Sequence, residues 1–345
     1  MNIKYISIIV LLLLLSALAN AQVRVERTFE KGWKFTREDS TDFSCKEYDD
    51  TKWQSVTVPH DWAIYGPFSI NNDKQNVAIT QDGQKEALEH AGRTGGLPFV
   101  GTGWYRLAFD IPEYAPGKKA TLIFDGAMSH ARVYINGLEA GYWPYGYNSF
   151  YVDATPYLKA GEKNTLAVRL ENETESSRWY PGAGLYRNVH LVINEDAYIP
   201  TWGTQLTTPV VKKDYAKVNL KTTLVIPAGK HLADYSIVTE LKDQNGKVVA
   251  TDKKQGGNFD DGIFEQELII TSPVLWSPDA PELYQAVSKV YEGGVLKDEY
   301  TTPFGIRSIE IIPSVSYSGE YAIIMTSVLW VALPMKRVSA ARYVF

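Results

Sequence analysis

The sequence predicts an all-β protein of two successive sandwich domains, and three observations predict it. Short apolar runs alternate with polar residues at period two, separated by Gly, Pro, Asn and Asp. Asn-Gly pairs stand where a tight hairpin needs residues that tolerate positive φ. Windows with the 3.6-residue periodicity of a long amphipathic helix are missing.

The elements follow in chain order. Thr121 to Phe124 is an alternating run, and Arg132-Val133-Tyr134-Ile135 is another that ends in Asn136-Gly137, the pair that favours a type I′ turn. Leu166 to Leu170 and Val189 to Ile193 repeat the pattern. A boundary falls near Asn194 to Trp202, beyond which the composition shifts toward Lys, Thr and Val. Val218 to Ile226 reads as a strand, and Ile237 to Leu241, Asn245-Gly246 and Lys247 to Thr251 read as a hairpin. Phe264 to Ile270 and Tyr284 to Tyr291 add two more strands. About 100 residues of short strands with regular turns predict an immunoglobulin-like β-sandwich, in architecture only, because the paired cysteines of antibody domains are absent. Gln75 to Gly101 differs: it is polar and Gly-rich, and a long irregular loop in a compact domain is usually functional or disordered.

Composition bounds the function. A chain of 345 residues with 45% hydrophobic and 22% charged content suits two globular domains. A net charge of -5 without a basic stripe argues against nucleic acid as a partner. Nine Trp, 22 Tyr and 12 Phe suit strand packing, and equally suit stacking on the apolar face of a pyranose. A single cysteine, Cys45, leaves no internal disulfide and reads as a small buried or half-buried residue. His60, His90, His130, His190 and His231 are scattered, and no His/Cys cluster has metal-ligand spacing.

At the N-terminus, Lys4 precedes an apolar run from Ile6 to Leu18, then Ala19-Asn20-Ala21 ahead of Gln22. That order is the pattern of a secretory signal peptide, too short for a comfortable membrane span, and it predicts a periplasmic or extracellular chain starting near Gln22.

Several strings together resemble glycoside hydrolase family 2, the β-galactosidases, β-glucuronidases and β-mannosidases. They are Trp53 with Val58-Pro59-His60-Asp61-Trp62; Gly103-Trp104-Tyr105-Arg106; Phe124-Asp125-Gly126 with Val133-Tyr134-Ile135-Asn136-Gly137 and Gly141; Gly146-Tyr147, Phe150 and Asp153. Ser177-Arg178-Trp179-Tyr180-Pro181-Gly182-Ala183-Gly184-Leu185-Tyr186-Arg187-Asn188-Val189 continues the series, and Trp276-Ser277-Pro278, Pro281-Glu282-Leu283-Tyr284 and Phe304-Gly305-Ile306-Arg307 close it. The resemblance, most like the β-galactosidase branch, spans roughly Glu26 to Glu310. It implies a jelly-roll (galactose-binding-like) sugar-binding domain over 22–197, after a signal peptide over 1–21, and an immunoglobulin-like sandwich over 198–312. It also implies a (β/α)₈ barrel beyond residue 310, which this sequence does not carry.

By the same resemblance, sugar contacts come from the loop before Gly103-Trp104, here Arg93 to Gly101, and from Ser177, Arg178, Trp179 and Tyr180. Trp179 or Tyr180 would stack on a sugar and Arg178 would bond hydroxyls; Arg178 and Trp179 fit packing at a domain interface equally well. Pro59-His60-Asp61-Trp62 reads instead as a strand-end brace, with Asp61 accepting backbone N–H bonds and Trp62 filling core. Phe304-Gly305-Ile306-Arg307 reads as the last strand before a barrel. Both catalytic glutamates of the family lie on barrel strands, so no catalytic residue is assigned here. The acidic run Glu171-Asn172-Glu173-Thr174-Glu175 reads as a solvated face. No cofactor is identified, although family members often carry Mg²⁺ or Na⁺ near the pocket. The expected partner is a β-galactoside-type glycan, the alternative being a free-standing exported carbohydrate-binding protein without hydrolase activity; the oligomeric state is open.

From Pro313 the family pattern stops, and 313–345 reads as an aberrant tail. Taking each codon as the last base of one visible codon plus the first two of the next forces Asp behind Thr326, Gly behind Val331 and Glu behind Lys336. The offset string is compatible with His-His-Asp-Leu-Gly-Ala-Leu-Gly-x-Ala-x-Asn-Glu, which resembles the start of the family barrel. The expectation is a frameshifted gene or assembly, the alternative being a genuine divergent tail; re-sequencing from the codons for Phe304 onward separates the two.

Overall fold

The structure is a computed structural model that describes residues 23–67, 99–173, 181–257 and 261–308, and the backbone of 310–315 and 321–326. Among the described residues regular structure is β-strand with two short 3₁₀ turns. The chain divides into two compact units, one through Glu195 and one from Asp196.

The first unit holds β1 (Arg24–Thr28), β2 (Trp33–Thr36), β3 (Gln54–Val56), β4 (Gly101–Phe109), β5 (Lys119–Phe124), β6 (Ala131–Ile135), β7 (Leu138–Trp143), β8 (Phe150–Asp153), β9 (Asn164–Asn172) and β10 (Val189–Asn194). A four-stranded sheet runs β1-β10-β5-β8 and a six-stranded sheet runs β3-β2-β4-β9-β6-β7. Alternation explains the packing between them. Ala120, Leu122 and Phe124 of β5 are buried, as are Val189, Leu191 and Ile193 of β10, in one core with Trp33, Phe35, Tyr105, Val133 and Leu166 of the other sheet. The Asn136-Gly137 turn has φ of 51° and 87°, the two left-handed positions of a type I′ hairpin.

The six-stranded sheet has a second, smaller core on its other face, where Phe43, Trp53, Trp104 and Ala167 pack together. Beneath it lies Arg106, 2% exposed. Its guanidinium meets five acceptors: Asp50 Oδ2 at 2.9 Å and the carbonyls of Phe43 (2.5 Å), Cys45 (2.9 Å), Lys46 (3.4 Å) and Tyr48 (3.4 Å). This corrects the expectation for Cys45. With the carbonyls of 43–48 drawn inward to the guanidinium, the Cys45 side chain is turned out and the thiol is exposed.

The second unit is a seven-stranded sandwich of β11 (Thr204–Val211), β12 (Tyr215–Thr223), β13 (Tyr235–Lys242), β14 (Val248–Gln255), β15 (Ile263–Thr271), β16 (Tyr284–Glu292) and β17 (Val295–Phe304). Its sheets run β11-β12-β15 and β14-β13-β16-β17. The apolar interior is in two parts. Between them lies a polar tier in which Thr239 Oγ1 donates to Gln266 Oε1 at 2.7 Å and lies 3.0 Å from Ser288 Oγ, while Gln266 Nε2 donates to the Asp252 carbonyl at 3.1 Å. The Asn245-Gly246 hairpin forms, with Asp243 Oδ1 accepting from the backbone N–H of Asn245 and Lys247. Two boundaries differ from expectation. β12 ends at Thr223, after which Leu224 is buried and Val225 pairs with Tyr198. β17 ends at Phe304, so Gly305-Ile306-Arg307 lies past the strand, with Ile306 buried and Arg307 stacked 4.8 Å over Trp276.

In the tail, β18 (Glu310–Val315) pairs antiparallel with β19 (Tyr321–Thr326), and this two-stranded ribbon joins neither sandwich sheet.

Candidate functional site

Arg93, Ser177, Arg178, Trp179 and Tyr180 lie outside the described residues. The structure does fix where their segments are rooted. The first re-enters at Phe99 and Gly101, at the start of β4, and the second leaves after Glu173, at the end of β9. Gly101 and Asn172 are register partners in the β4–β9 pair. Two strings some eighty residues apart in sequence are therefore joined to neighbouring strand ends of one sheet.

Hydrogen-bonded and buried side chains surround these roots. Asn172 is 3% exposed and its Nδ2 donates to the Gly182 carbonyl at 3.2 Å, closing the base of the second segment. Of the acidic run expected to face water, Asn172 is thus buried, Glu171 is ion-paired to Arg169 at 2.8 Å, and Glu173 is exposed beside His130 Nε2 at 3.6 Å. Arg37 donates to the carbonyls of Trp62 (2.8 Å) and Gly66 (2.6 Å) and lies 5.0 Å over the Phe99 ring. Burial pushes the Arg37 pKa down, partly opposed by Tyr105.

The His60-Asp61-Trp62 string forms the expected brace. Asp61 Oδ1 accepts from Ala63 N–H at 3.0 Å, and Trp62 is 1% exposed, stacked on Phe35 at 5.6 Å. The His60 imidazole Nδ1 lies 2.7 Å from the Tyr105 hydroxyl. Burial lowers the His60 pKa, with Asp61 raising it and Arg37 lowering it further. Two glycines make this packing possible. A Cβ on Gly103 would lie 2.5 Å from the Trp62 ring, and one on Gly184 would lie 2.7 Å from the His60 carbonyl.

Sequence reasoning missed a neighbouring feature, the loop between β7 and β8. Tyr142, in β7, and Tyr145 and Tyr147, in the loop, are 45%, 57% and 41% exposed. Gly146-Tyr147 enters the sequence reading only through its family resemblance; the density of aromatic rings in 142–151 is the signal that marks the loop.

Among the described residues no group of three or more His, Cys, Asp and Glu side chains comes together to hold a metal. Among the same residues no helix is long and apolar enough to cross a membrane.

The described residues define two successive all-β sandwich domains. Comparison with known proteins agrees. Residues 29–194 match the model of the glycosyl hydrolases family 2 sugar binding domain, and residues 197–307 match the glycosyl hydrolases family 2 model. The chain belongs to glycosyl hydrolase family 2 and carries these two all-β domains. It is 37% identical over 292 residues to the beta-galactosidase BoGH2A of Bacteroides ovatus, covering 84% of this chain and 32% of that protein. It is 26% identical over 310 residues to a beta-glucuronidase of Formosa agariphila, covering 83% and 30%. The solved structure of a glycosyl hydrolase family 2 member from Bacteroides cellulosilyticus superposes with a TM-score of 0.73 at 30% identity, covering 86% of this chain and 37% of that one. The chain spans about a third of the length of the curated relatives it matches.

Proposed function

We propose that this chain is the substrate-recognition portion of an exported β-galactosidase-like hydrolase, binding a β-galactoside and leaving hydrolysis to a barrel. The observation that carries the reading is the β4–β9 register, which roots the Arg93-to-Gly101 and Ser177-to-Tyr180 segments at adjacent strand ends. In this reading the flat face of Trp179 or Tyr180 covers the C–H face of the pyranose, and Arg93, Ser177 and Arg178 bond its hydroxyls. Retaining hydrolysis needs two carboxyl groups about 5–5.5 Å apart, one as acid and one as nucleophile. In the family these come from the barrel, so the chain alone binds without turnover. The Lys4 to Ala21 leader supports export to the periplasm or beyond, and a mature N-terminus at Gln22 is the expected product.

The test is calorimetric titration of the full chain with methyl β-galactopyranoside and methyl β-glucuronide, beside a nitrophenyl β-galactoside turnover assay. Preference for the galactoside, a loss of about tenfold in affinity in Trp179→Ala/Tyr180→Ala, and no turnover are expected. Turnover that disappears in Glu173→Gln, or unchanged affinity in Trp179→Ala/Tyr180→Ala, would overturn the reading.

A further inference from the structure

The sequence holds two Asn-Gly pairs, Asn136-Gly137 between β6 and β7 and Asn245-Gly246 between β13 and β14. Asparagine is a thermolabile residue, and a glycine after it leaves the next backbone nitrogen without a Cβ to crowd it. That nitrogen can attack the side-chain amide carbon wherever the amide is free to turn toward it. The fold treats the two pairs oppositely.

Asn136 has its amide committed at both ends. Its Nδ2 donates to the Tyr157 carbonyl at 2.9 Å and to Asn164 Oδ1 at 2.7 Å, and its Oδ1 accepts from Thr165 N–H at 3.0 Å. Asn164 is itself fully buried. The neighbouring glycine is flanked as well, since a Cβ on Gly137 would lie 3.7 Å from the Lys46 backbone nitrogen and 3.8 Å from the Ser44 carbonyl oxygen. Turning this amide toward Gly137 breaks three side-chain hydrogen bonds and so waits on local opening.

Asn245 is exposed, as are Gln244, Gly246 and Lys247 around it. Among the described residues nothing bonds its side-chain amide, and a Cβ on Gly246 would meet no atom within 4 Å. The tip is held through backbone groups instead. Asp243 Oδ1 accepts from the N–H of Asn245 at 2.9 Å and of Lys247 at 3.0 Å, and Gly246 N–H donates to the Asp243 carbonyl at 2.9 Å. Attack by the Gly246 nitrogen therefore has to release one backbone bond, at a hairpin tip open to water.

We infer that Asn245 is a site of spontaneous deamidation and that the fold protects Asn136 from the same reaction. The Gly246 nitrogen bonds to Asn245 Cγ, and its proton leaves with the side-chain amino group as ammonia, giving a five-membered succinimide. Water then opens the ring at either carbonyl, so the product is an aspartyl or an isoaspartyl link and nothing is oxidised or reduced. The new carboxylate stands near that of Asp243. The isoaspartyl link also lengthens the backbone between the two N–H groups that Asp243 Oδ1 holds, which loosens the β13–β14 hairpin tip.

The experiment incubates the full chain in mildly alkaline buffer, with and without denaturing urea, and follows both Asn-Gly peptides by mass spectrometry after proteolysis. In the folded chain the Asn245 peptide gains about one dalton, water gained less ammonia lost, about tenfold or more faster than the Asn136 peptide. In urea both amides are released and the two rates converge. Asn245→Gln abolishes the mass gain in the hairpin peptide. An Asn245 peptide that stays unmodified in the folded chain would overturn the inference, and so would equal rates for the two peptides in the folded chain.

Discussion

Replacing Arg106 by Met tests the account of the outer core in the first unit. Met keeps an unbranched stem of similar reach and removes every donor. Three of the five bonds are 2.9 Å or shorter, to Asp50, Phe43 and Cys45, and two are weak at 3.4 Å. Hydrogen bonds to a charged group contribute about 1.5–3 kcal/mol each. The Asp50 side chain is 27% exposed and regains water when its partner goes, so the two short carbonyl bonds dominate the loss. The sum is about 3–6 kcal/mol, in line with removing one member of a buried, hydrogen-bonded pair. For a domain of this size that lowers Tm by about 6–24 °C. Urea unfolding read by tryptophan fluorescence is the assay, because Trp33, Trp53, Trp62 and Trp104 are all buried in the first unit. Asp50→Asn, which keeps an acceptor, costs only about 1 kcal/mol. An Arg106→Met loss below about 1 kcal/mol would refute the argument, because the carbonyls of 43–48 would then not depend on the guanidinium.

Two further outcomes follow from the described packing. His60 is held neutral by burial and its folded pKa lies below the unfolded 6.5, so the unfolded chain binds the extra proton first. The stability that His60 contributes is present above pH 6.5 and is lost as pH falls through the lowered folded value; His60→Gln should flatten that part of the stability–pH curve, measured by urea unfolding from about pH 7.5 down to about pH 5. In the second unit, Thr239→Val strips the Gln266 and Ser288 side chains of a buried partner and costs about 1–3 kcal/mol, whereas Thr239→Val/Gln266→Leu should cost less than the sum of its single changes in a double-mutant cycle.

What could be read from sequence was what short-range chemistry decides. Asn136-Gly137 forms its turn because two left-handed residues in succession are a local requirement. Period-two alternation also put Thr239 inward between Ile237 and Leu241, Gln266 between Phe264 and Leu268, and Ser288 between Ala286 and Val290. That they meet in one tier depends on the alignment of two sheets, which no single strand encodes. Cys45 failed for a related reason. Its orientation is set by an arginine 61 residues away, and nothing around Cys45 announces that its carbonyl is needed inside. The candidate site divides the same way, since the two loop strings were legible as motifs while their adjacency is a consequence of the β4–β9 register.

The most conspicuous string of the first unit is, for physical reasons, not where binding should be sought. His60 directs its ring at Tyr105, Asp61 engages a carboxylate oxygen with Ala63 N–H, and Trp62 is closed off by Phe35 and by the close approach that Gly103 allows. With those groups committed, the string can hold a surface but cannot present one. Tyr145 and Tyr147 differ, since both are more than 40% exposed and the Gly146 between them is held by the Tyr186 hydroxyl at its carbonyl. Gly103, which the Trp62 ring packs against, lies two residues from Gly101 in β4, so the string braces the strand end from which the proposed sugar-contacting segments run.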